Sequence, residues 1–240
     1  MEFSEITRQA RKVLKLKYCG AVIVAAGNAS RMEGIDKVMA PLAGEPMIAR
    51  TVRAFQNCDA IREIVVVTRP DLILPITALC RDYDKVTAVV VGGDSRPASV
   101  MAGLNALSKQ VKLAAIQDGA RPLITWQVID RAVRAANTYG AAAPAVPVKD
   151  TIKVVQGGVV RETPDRSRLQ AVQTPQVFDI ALLRGALAQA EKTGAQITDD
   201  CSAVENMGMS VKIVAGDERN IKVTTPLDLK IAELLLEDSQ

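Results

Sequence analysis

The sequence predicts an α/β fold with a doubly wound, mostly parallel sheet, and three observations favour this class. Continuous apolar runs of strand length recur along the chain, and the first covers residues 21–26 (AVIVAA). Such runs are typical of strands that are buried on both faces of a parallel sheet. Segments with helical character alternate with these runs, which is the pattern of doubly wound sheets. Since no internal repeat or linker divides the chain, we expect one domain over residues 1–240.

Composition and charge narrow the class of protein. Of the 240 residues, 48% are apolar and 24% are charged, which excludes a disordered or low-complexity chain. A net charge of +3 is too small to argue for a nucleic-acid binder, and an aromatic content of 3% disfavours base-stacking platforms for single strands. No apolar run reaches the roughly 18 residues of a membrane span, and residues 1–20 lack the apolar core of a signal peptide. We therefore expect a cytoplasmic protein that interacts with neither nucleic acid nor a membrane.

Histidine and cysteine usage excludes several chemistries. The sequence contains no histidine, which rules out Ser-His-Asp and Cys-His catalysis and zinc sites with histidine ligands. The four cysteines, Cys19, Cys58, Cys80 and Cys201, are far apart and form no C-x-x-C motif. Such cysteines are typical of free thiols in a reducing compartment, and a structural zinc site that uses all four is the alternative.

The individual elements follow from periodicity, helix caps and turns. Residues 1–17 are expected to form a short basic helix, either packed as an extension or bound to a partner or membrane surface. Pro46 in a first turn and Gly140 after a last turn mark helix boundaries. The prolines of residues 141–148 predict an edge strand or an irregular one. The predicted elements are strand 21–26, helix 46–56, strands 61–68 and 85–91, helix 95–107, strand 112–117, helix 125–139, strand 141–148, helices 179–192 and 199–206, strands 211–215 and 220–223, and helix 226–236.

Residues 149–171 interrupt the alternation of strands and helices. Two β-branched runs, residues 151–155 and 159–163, flank the segment Gln156-Gly157-Gly158. Two such runs around a pair of glycines are typical of a β-hairpin. The sequence therefore predicts a β-arm that protrudes from a mixed sheet.

The loops that follow the strands are the candidates for a site, because ligands of open α/β sheets bind beyond the carboxyl ends of the strands. The first loop, residues 27–37, matches neither the G-x-G-x-x-G dinucleotide pattern nor the Walker pattern. It consists largely of small residues, whose backbone N–H groups can bind phosphate, and it carries Arg31 and Lys37. The alternative is a tight turn followed by two solvated charges.

Three later loops carry further candidates. Residues 92–99 combine two glycines, which allow close backbone approach, with serines that can cap a helix or bind a ligand. Asp118 ends a strand and suits a hard cation such as Mg²⁺, while an ion pair with Arg121 is the alternative. Lys222 is either a site cation or a solvated strand residue. Thr198 is interpreted as the N-cap of a helix.

Taken in order, these loops resemble one known family. The matching motifs are Ala25-Ala26-Gly27 with Arg31, Met32 and Lys37, Gly92-Gly93-Asp94 with Ser99-Val100, Asp118-Gly119-Ala120-Arg121-Pro122, Val148-Lys149-Asp150-Thr151, Asp165-Arg166, Gln173-Thr174-Pro175-Gln176, Thr198-Asp199-Asp200 with Ser202 and Glu205, and Asn220-Ile221-Lys222-Val223-Thr224. This set, which spans about residues 20–236, closely resembles the 2-C-methyl-D-erythritol 4-phosphate cytidylyltransferases of the non-mevalonate isoprenoid pathway. Two departures stand out. Fewer residues separate Arg31 from Lys37 than is usual in the family, and residues 1–19 have no counterpart in its shortest members.

The resemblance implies a Rossmann-like fold and an enzyme that joins CTP to methylerythritol phosphate, releases pyrophosphate and uses Mg²⁺. It also implies a homodimer whose arms, residues 149–171, embrace. The CTP site would comprise Ala25, Ala26, Gly27, Gly93, Asp94, Ser99 and Gly119. The catalytic residues would be Arg31, Lys37, Lys222 and Arg166, and Asp118 would hold the metal. The acceptor would be held by Arg121, Thr151, Thr174 and Thr198, with Thr151 and Arg166 reaching the site of the partner subunit.

The reaction that the resemblance implies agrees with the absence of histidine. The phosphate of the acceptor is already a nucleophile, so no general base is needed. Catalysis then depends on positioning two polyanions and on preorganised positive charge. Three alternatives stay open: a cytidylyltransferase for another polyol phosphate such as ribitol 5-phosphate, a nucleotidyltransferase that makes sugar nucleotides, and a non-catalytic nucleotide-binding homologue.

Overall fold

A computed structural model describes residues 16–27 and 36–237 of the chain. Within these residues, an eight-stranded sheet lies between two layers of helices. The elements, in chain order, are β1 (Cys19–Ala25), β2 (Pro41–Leu42), β3 (Glu45–Pro46), α1 (Met47–Gln56), β4 (Ile61–Thr68), α2 (Ile73–Leu79), β5 (Val86–Val91), α3 (Arg96–Ala106), β6 (Leu113–Asp118), α4 (Trp126–Tyr139), β7 (Ala141–Pro147), β8 (Val154–Gln156), β9 (Val159–Glu162), β10 (Gln170–Val172), β11 (Gln176–Asp179), α5 (Ile180–Thr193), α6 (Asp200–Glu205), β12 (Lys212–Ala215) and α7 (Pro226–Glu237).

The large sheet is mixed, with a parallel core. Strands β5, β4, β1 and β6 lie side by side and are parallel. Strand β11 pairs antiparallel with β6, and β7 follows beyond it. This arrangement confirms the predicted α/β fold with a mostly parallel, doubly wound sheet. It also brings the carboxyl ends of the four parallel strands to one edge, which is where the predicted site loops begin.

Strand β1 shows why a continuous apolar run forms the centre of such a sheet. Successive side chains point to opposite faces of a strand. Ala21 and Ile23 pack in one core with Ile129 of α4, and Val22 packs in the other core with Leu104 of α3. All five side chains are fully buried. Burial of each of the larger ones stabilises the fold by about 1.5–3 kcal/mol, so both faces of the strand must be apolar.

The structure confirms most predicted elements and corrects two. Residues 141–148 were predicted to be an edge strand or an irregular one, but β7 pairs with β10, β11 and β12 and is not at an edge. Two segments that return from the β-arm supply β10 and β11. Residues 220–223 form no strand; they are a loop in which the Val223 N–H donates to the Ala120 carbonyl at 2.8 Å. The sequence analysis also missed β2, β3, α2, β10 and β11.

The predicted hairpin is present as β8 and β9. Its turn residues Gly157 and Gly158 have φ angles of 59° and 77°, the left-handed pair that a type I′ turn requires. Every residue of both strands is exposed. The predicted basic helix over residues 1–17 lies, apart from Leu16 and Lys17, outside the described residues. None of the helices in the described ranges has both the length and the apolar character that a bilayer span needs.

Candidate active site

A cavity of about 650 Å³ opens beyond the carboxyl ends of β1, β4, β5 and β6. Ten of the predicted site residues line it. They are Ala25, Ala26, Gly27, Lys37, Gly93, Asp94, Ser99, Asp118, Gly119 and Lys222. Residues as distant in the chain as Ala25 and Lys222 therefore share one cavity. Arg31, which the sequence analysis placed beside them, lies outside the described residues.

The wall from β1 is made of small residues. Ala25 is the buried last residue of β1, Ala26 after it is half-buried, and Gly27 is exposed. The Gly119 N–H donates to the Val24 carbonyl at 2.8 Å, which ties the end of β6 to the end of β1. Small side chains at this position leave room for a ligand to approach the backbone.

The wall after β5 is held close to β1 by its glycines. A Cβ atom on Gly92 would lie 2.6 Å from the Ala26 Cβ, and one on Gly93 would lie 2.5 Å from the Ala98 Cβ. The buried Ser99 hydroxyl accepts from the Gly93 N–H at 3.1 Å and so fixes this loop. Asp94 is exposed at the cavity wall. The glycines are therefore required by packing around the cavity, before any ligand is considered.

Asp118 is the centre of the charge network in the cavity. Its carboxylate lies 3.0 Å from the Lys222 Nζ, 3.4 Å from the Arg121 Nε and 3.7 Å from an Arg96 guanidinium nitrogen. Burial raises the pKa of the Asp118 carboxyl, but Lys222, Arg96 and Arg121 together outweigh burial and hold that pKa below its ordinary value. The carboxylate is therefore ionised at neutral pH, and the predicted ion pair with Arg121 is present.

Arg96 and Asp200 form a second layer behind Asp118, and the sequence analysis assigned no role to either. The Arg96 guanidinium donates to the Asp200 carboxylate at 2.7 Å, and the Asp200 side chain is fully buried. Burial raises the pKa of the Asp200 carboxyl, and the nearby Arg96 only partly opposes it. Arg96 lines the cavity at the first turn of α3, immediately after the N-cap Ser95. That position directly after a glycine loop is the signal that could have identified it.

Two predicted acceptor residues lie behind the cavity wall. Arg121 is mostly buried and donates to the Asn220 carbonyl at 2.7 Å as well as pairing with Asp118. The Thr174 hydroxyl is buried and accepts from the Asp118 N–H at 3.2 Å. Both residues therefore hold Asp118 in place within the single chain.

Three other predicted residues are not brought to the cavity in the described part of the chain. Thr151 and Arg166 are exposed at the base of the β-arm, where Arg166 donates to the Lys149 carbonyl at 2.9 Å. Thr198 is exposed, and its interpretation as a helix N-cap is wrong: Asp199 caps α6 by accepting from the Ser202 N–H at 2.8 Å. The carboxylate of Asp199 reaches this N–H with the geometry that defines an N-cap.

The oxygen ligands of the cavity fit a magnesium ion only together with a substrate. Among the described residues, no group of three acidic or thiol side chains is placed to hold a metal. Asp118 offers one ionised carboxylate at the cavity wall. Mg²⁺ is commonly held by one or two carboxylates plus substrate phosphates, so the residues present fit a cation that a nucleotide brings with it.

The strand-end loops and the clustered cations define a nucleotide-binding α/β protein whose site suits phosphate groups. The chain belongs to the family described as IspD, 2-C-methyl-D-erythritol 4-phosphate cytidylyltransferase, whose model matches residues 19–238.

Named relatives and solved structures agree with this membership. The chain is 44% identical to the 2-C-methyl-D-erythritol 4-phosphate cytidylyltransferase of Caldanaerobacter subterraneus subsp. tengcongensis, over 90% of this chain and 97% of the relative. It is 45% identical to the protein of that name from Geobacillus thermodenitrificans, over 90% and 96%. The crystal structure of 4-diphosphocytidyl-2C-methyl-D-erythritol synthase from Anaerococcus prevotii superposes with a TM-score of 0.85 at 29% identity, covering 93% of this chain and 98% of that one. The Thermus thermophilus cytidylyltransferase structure gives 0.75 at 31% identity, covering 90% and 98%.

Proposed function

We propose that the chain joins CTP to 2-C-methyl-D-erythritol 4-phosphate, giving the cytidine diphosphate derivative of methylerythritol and pyrophosphate for isoprenoid precursor synthesis. The observation that carries this proposal is the shared cavity: Lys37, Lys222 and Asp118 line it together with the small-residue loops, in a chain of the matching family.

The reaction is an exchange of phosphorus–oxygen bonds. An oxygen of the acceptor's phosphate attacks the α-phosphorus of CTP, the bond to the oxygen that bridges the α- and β-phosphorus breaks, and pyrophosphate leaves with the bonding electrons. The attacking oxygen is ionised near neutral pH, so no side chain has to remove a proton. The absence of histidine from the sequence is compatible with this chemistry.

Repulsion between the two substrates is the main barrier that the protein must reduce. Lys37 and Lys222 line the same cavity, and Lys222 is 43% exposed there, so its ammonium group can contact a ligand. Asp118 holds Lys222 in place at 3.0 Å. Cations that are fixed before the substrates arrive stabilise the charge that builds up at the phosphorus, with no reorganisation during the reaction.

We propose Mg²⁺ as the cofactor, with Asp118 as its ligand from the protein and phosphate oxygens of CTP as the others. Bound Mg²⁺ would supply charge neutralisation of the triphosphate and of the leaving pyrophosphate. The network of three cations around Asp118 keeps its carboxylate ionised and oriented for this role.

We further propose a homodimer in which the β-arm of each subunit reaches the other's cavity. The support is that Thr151 and Arg166, predicted to reach the site of the partner subunit, are exposed at the arm and do not line the cavity of their own chain. We also propose a cytoplasmic location, which the four free, buried cysteines support.

A pyrophosphate-release assay tests the proposed function. The purified chain receives CTP with Mg²⁺ and, in parallel reactions, methylerythritol 4-phosphate, ribitol 5-phosphate or glycerol phosphate. We expect release with methylerythritol 4-phosphate and its loss when EDTA is added or when UTP or ATP replaces CTP. Faster release with ribitol 5-phosphate would reassign the acceptor, and CTP binding without release would indicate a non-catalytic homologue.

A further inference from the structure

Arg69 lines the cavity, although the motifs of the sequence analysis do not include it. It follows β4 directly, and its guanidinium contacts three residues. It donates to the Gly27 carbonyl at 3.3 Å and pairs with the Asp36 carboxylate. The same guanidinium nitrogen that contacts Asp36, Nη2, also pairs with the Asp71 carboxylate at 3.1 Å. Gly27 and Asp36 are the residues that flank positions 28–35, so one guanidinium binds both ends of the first site loop.

Asp36 connects Arg69 to the residues that follow it in the chain. Its Oδ1 accepts from the Val38 N–H at 3.1 Å, while its other oxygen pairs with Arg69. Val38 is itself fixed: its side chain is 2% exposed, and its carbonyl accepts from the Ile48 N–H at 2.9 Å. The backbone of Lys37 therefore lies between an aspartate that Arg69 holds and a valine that the core holds.

Arg69 also compensates a negative charge at this wall of the cavity. Asp36 is the residue next to Lys37, and its side chain is only 22% exposed. An unpaired carboxylate there would repel a triphosphate and would compete for the Lys37 ammonium group. The pairing with Arg69 compensates the Asp36 charge with a cation at the cavity wall.

We infer that Arg69 is a positioning residue for the proposed reaction: it holds Gly27 and Asp36 so that Lys37 is presented to the nucleotide phosphates. The inference rests on the proposed function. Arg69 acts through Lys37, not by direct contact with the substrate.

The test combines three variants with a double-mutant cycle. Arg69→Gln removes the anchor, Asp36→Asn removes its charged partner, and Asp71→Asn is the matched control, because Asp71 pairs with the same guanidinium but is not part of the loop. We expect the kcat of pyrophosphate release to fall about tenfold or more in Arg69→Gln and Asp36→Asn, as misplacement of a reacting group predicts, with the KM for CTP changing less. Asp71→Asn is expected to stay within about twofold of the wild type.

The double-mutant cycle separates positioning from direct contact. If Arg69 acts through Lys37, then Arg69→Gln added to Lys37→Ala reduces kcat by less than about twofold, since the group it positions is already gone. If the kcat losses of Arg69→Gln and Lys37→Ala multiply in the double mutant, the inference is overturned, because Arg69 then contacts the substrate on its own. Equal losses in Asp71→Asn and Arg69→Gln would also overturn it. If Arg69→Gln fails to fold, Asp36→Asn carries the same cycle.

A second readout does not depend on the reaction. Amide hydrogen exchange at Val38 is expected to accelerate about tenfold or more in Arg69→Gln and to remain at the wild-type rate in Asp71→Asn. Unchanged exchange in Arg69→Gln overturns the inference even in an active enzyme. A wild-type chain that releases no pyrophosphate overturns the proposed function instead, and the exchange result still decides whether Arg69 anchors the loop.

Discussion

The cavity and the β-arm use their side chains in opposite ways. Around the cavity, charged groups are largely buried and bonded to one another: the Asp118 and Arg121 side chains are each 12% exposed. At the arm, the ion pair between Lys149 and Glu218 has side chains that are 71% and 60% exposed. The charged side chains of the cavity thus pair with one another within one chain. The arm, in contrast, carries charged and apolar side chains that its own chain does not cover. Removal of a charged side chain should therefore lower the free energy of unfolding strongly at the cavity and only slightly at the arm.

The largest effect is expected from the pair of Arg96 with the fully buried Asp200. Arg96→Met leaves the Asp200 carboxylate fully buried without its cation, and loss of one partner of such a pair costs about 3–5 kcal/mol of unfolding free energy. The matched change at the arm is Lys149→Met, which breaks an exposed pair and should cost about 1 kcal/mol or less. Urea unfolding at pH 7 measures both. Similar losses of unfolding free energy in Arg96→Met and Lys149→Met would contradict the contrast between the cavity and the arm.

A smaller effect is expected from Asp118 and depends on pH. The pKa of its carboxyl is held below the ordinary value of 3.8, so the folded state gains stability above that pH and loses it as the pH falls through the folded pKa. Asp118→Asn should therefore be less stable than the wild type by about 1–3 kcal/mol at pH 5–7, and the gap should narrow below pH 4. Urea unfolding from pH 3 to 7 measures the gap. A gap that stays constant or widens in acid would contradict the network described for Asp118.

The contrast between local and distant partners also explains what the sequence could predict. Strand β1 and the hairpin turn follow from residues that are neighbours in the chain, and both were predicted. The pair of Arg96 with Asp200 joins residues 104 positions apart, and that of Arg69 with Asp36 joins residues 33 apart, so no local pattern reveals either. Residues 220–223 have the composition of a strand. They form a loop in which the buried Asn220 side chain donates to the Thr174 carbonyl at 3.0 Å, a partner that lies 46 positions away in the chain.

The smallest effect on stability is expected at the arm. Val155 and Val160 are paired across the hairpin and are 55% and 52% exposed. Changing both to lysine should alter the unfolding free energy of the isolated subunit by about 0.5 kcal/mol or less, as for other surface changes. If the arm forms the proposed dimer interface, the same variant sediments as a monomer, whereas Leu74→Lys, on the exposed Leu74 of α2, does not. An unchanged sedimentation profile would exclude these valines from the interface.

The central claim is that fixed cations at the strand ends let two anions react without a proton-abstracting side chain. The most direct measurement is the kcat of pyrophosphate release for Lys37→Ala with CTP and methylerythritol 4-phosphate, with the exposed surface change Lys109→Ala as the control. The claim predicts a loss of about 10²–10³ in kcat, the range for one preorganised group that stabilises developing charge, and no loss in the control. A Lys37→Ala enzyme that turns over at nearly the wild-type rate would contradict it.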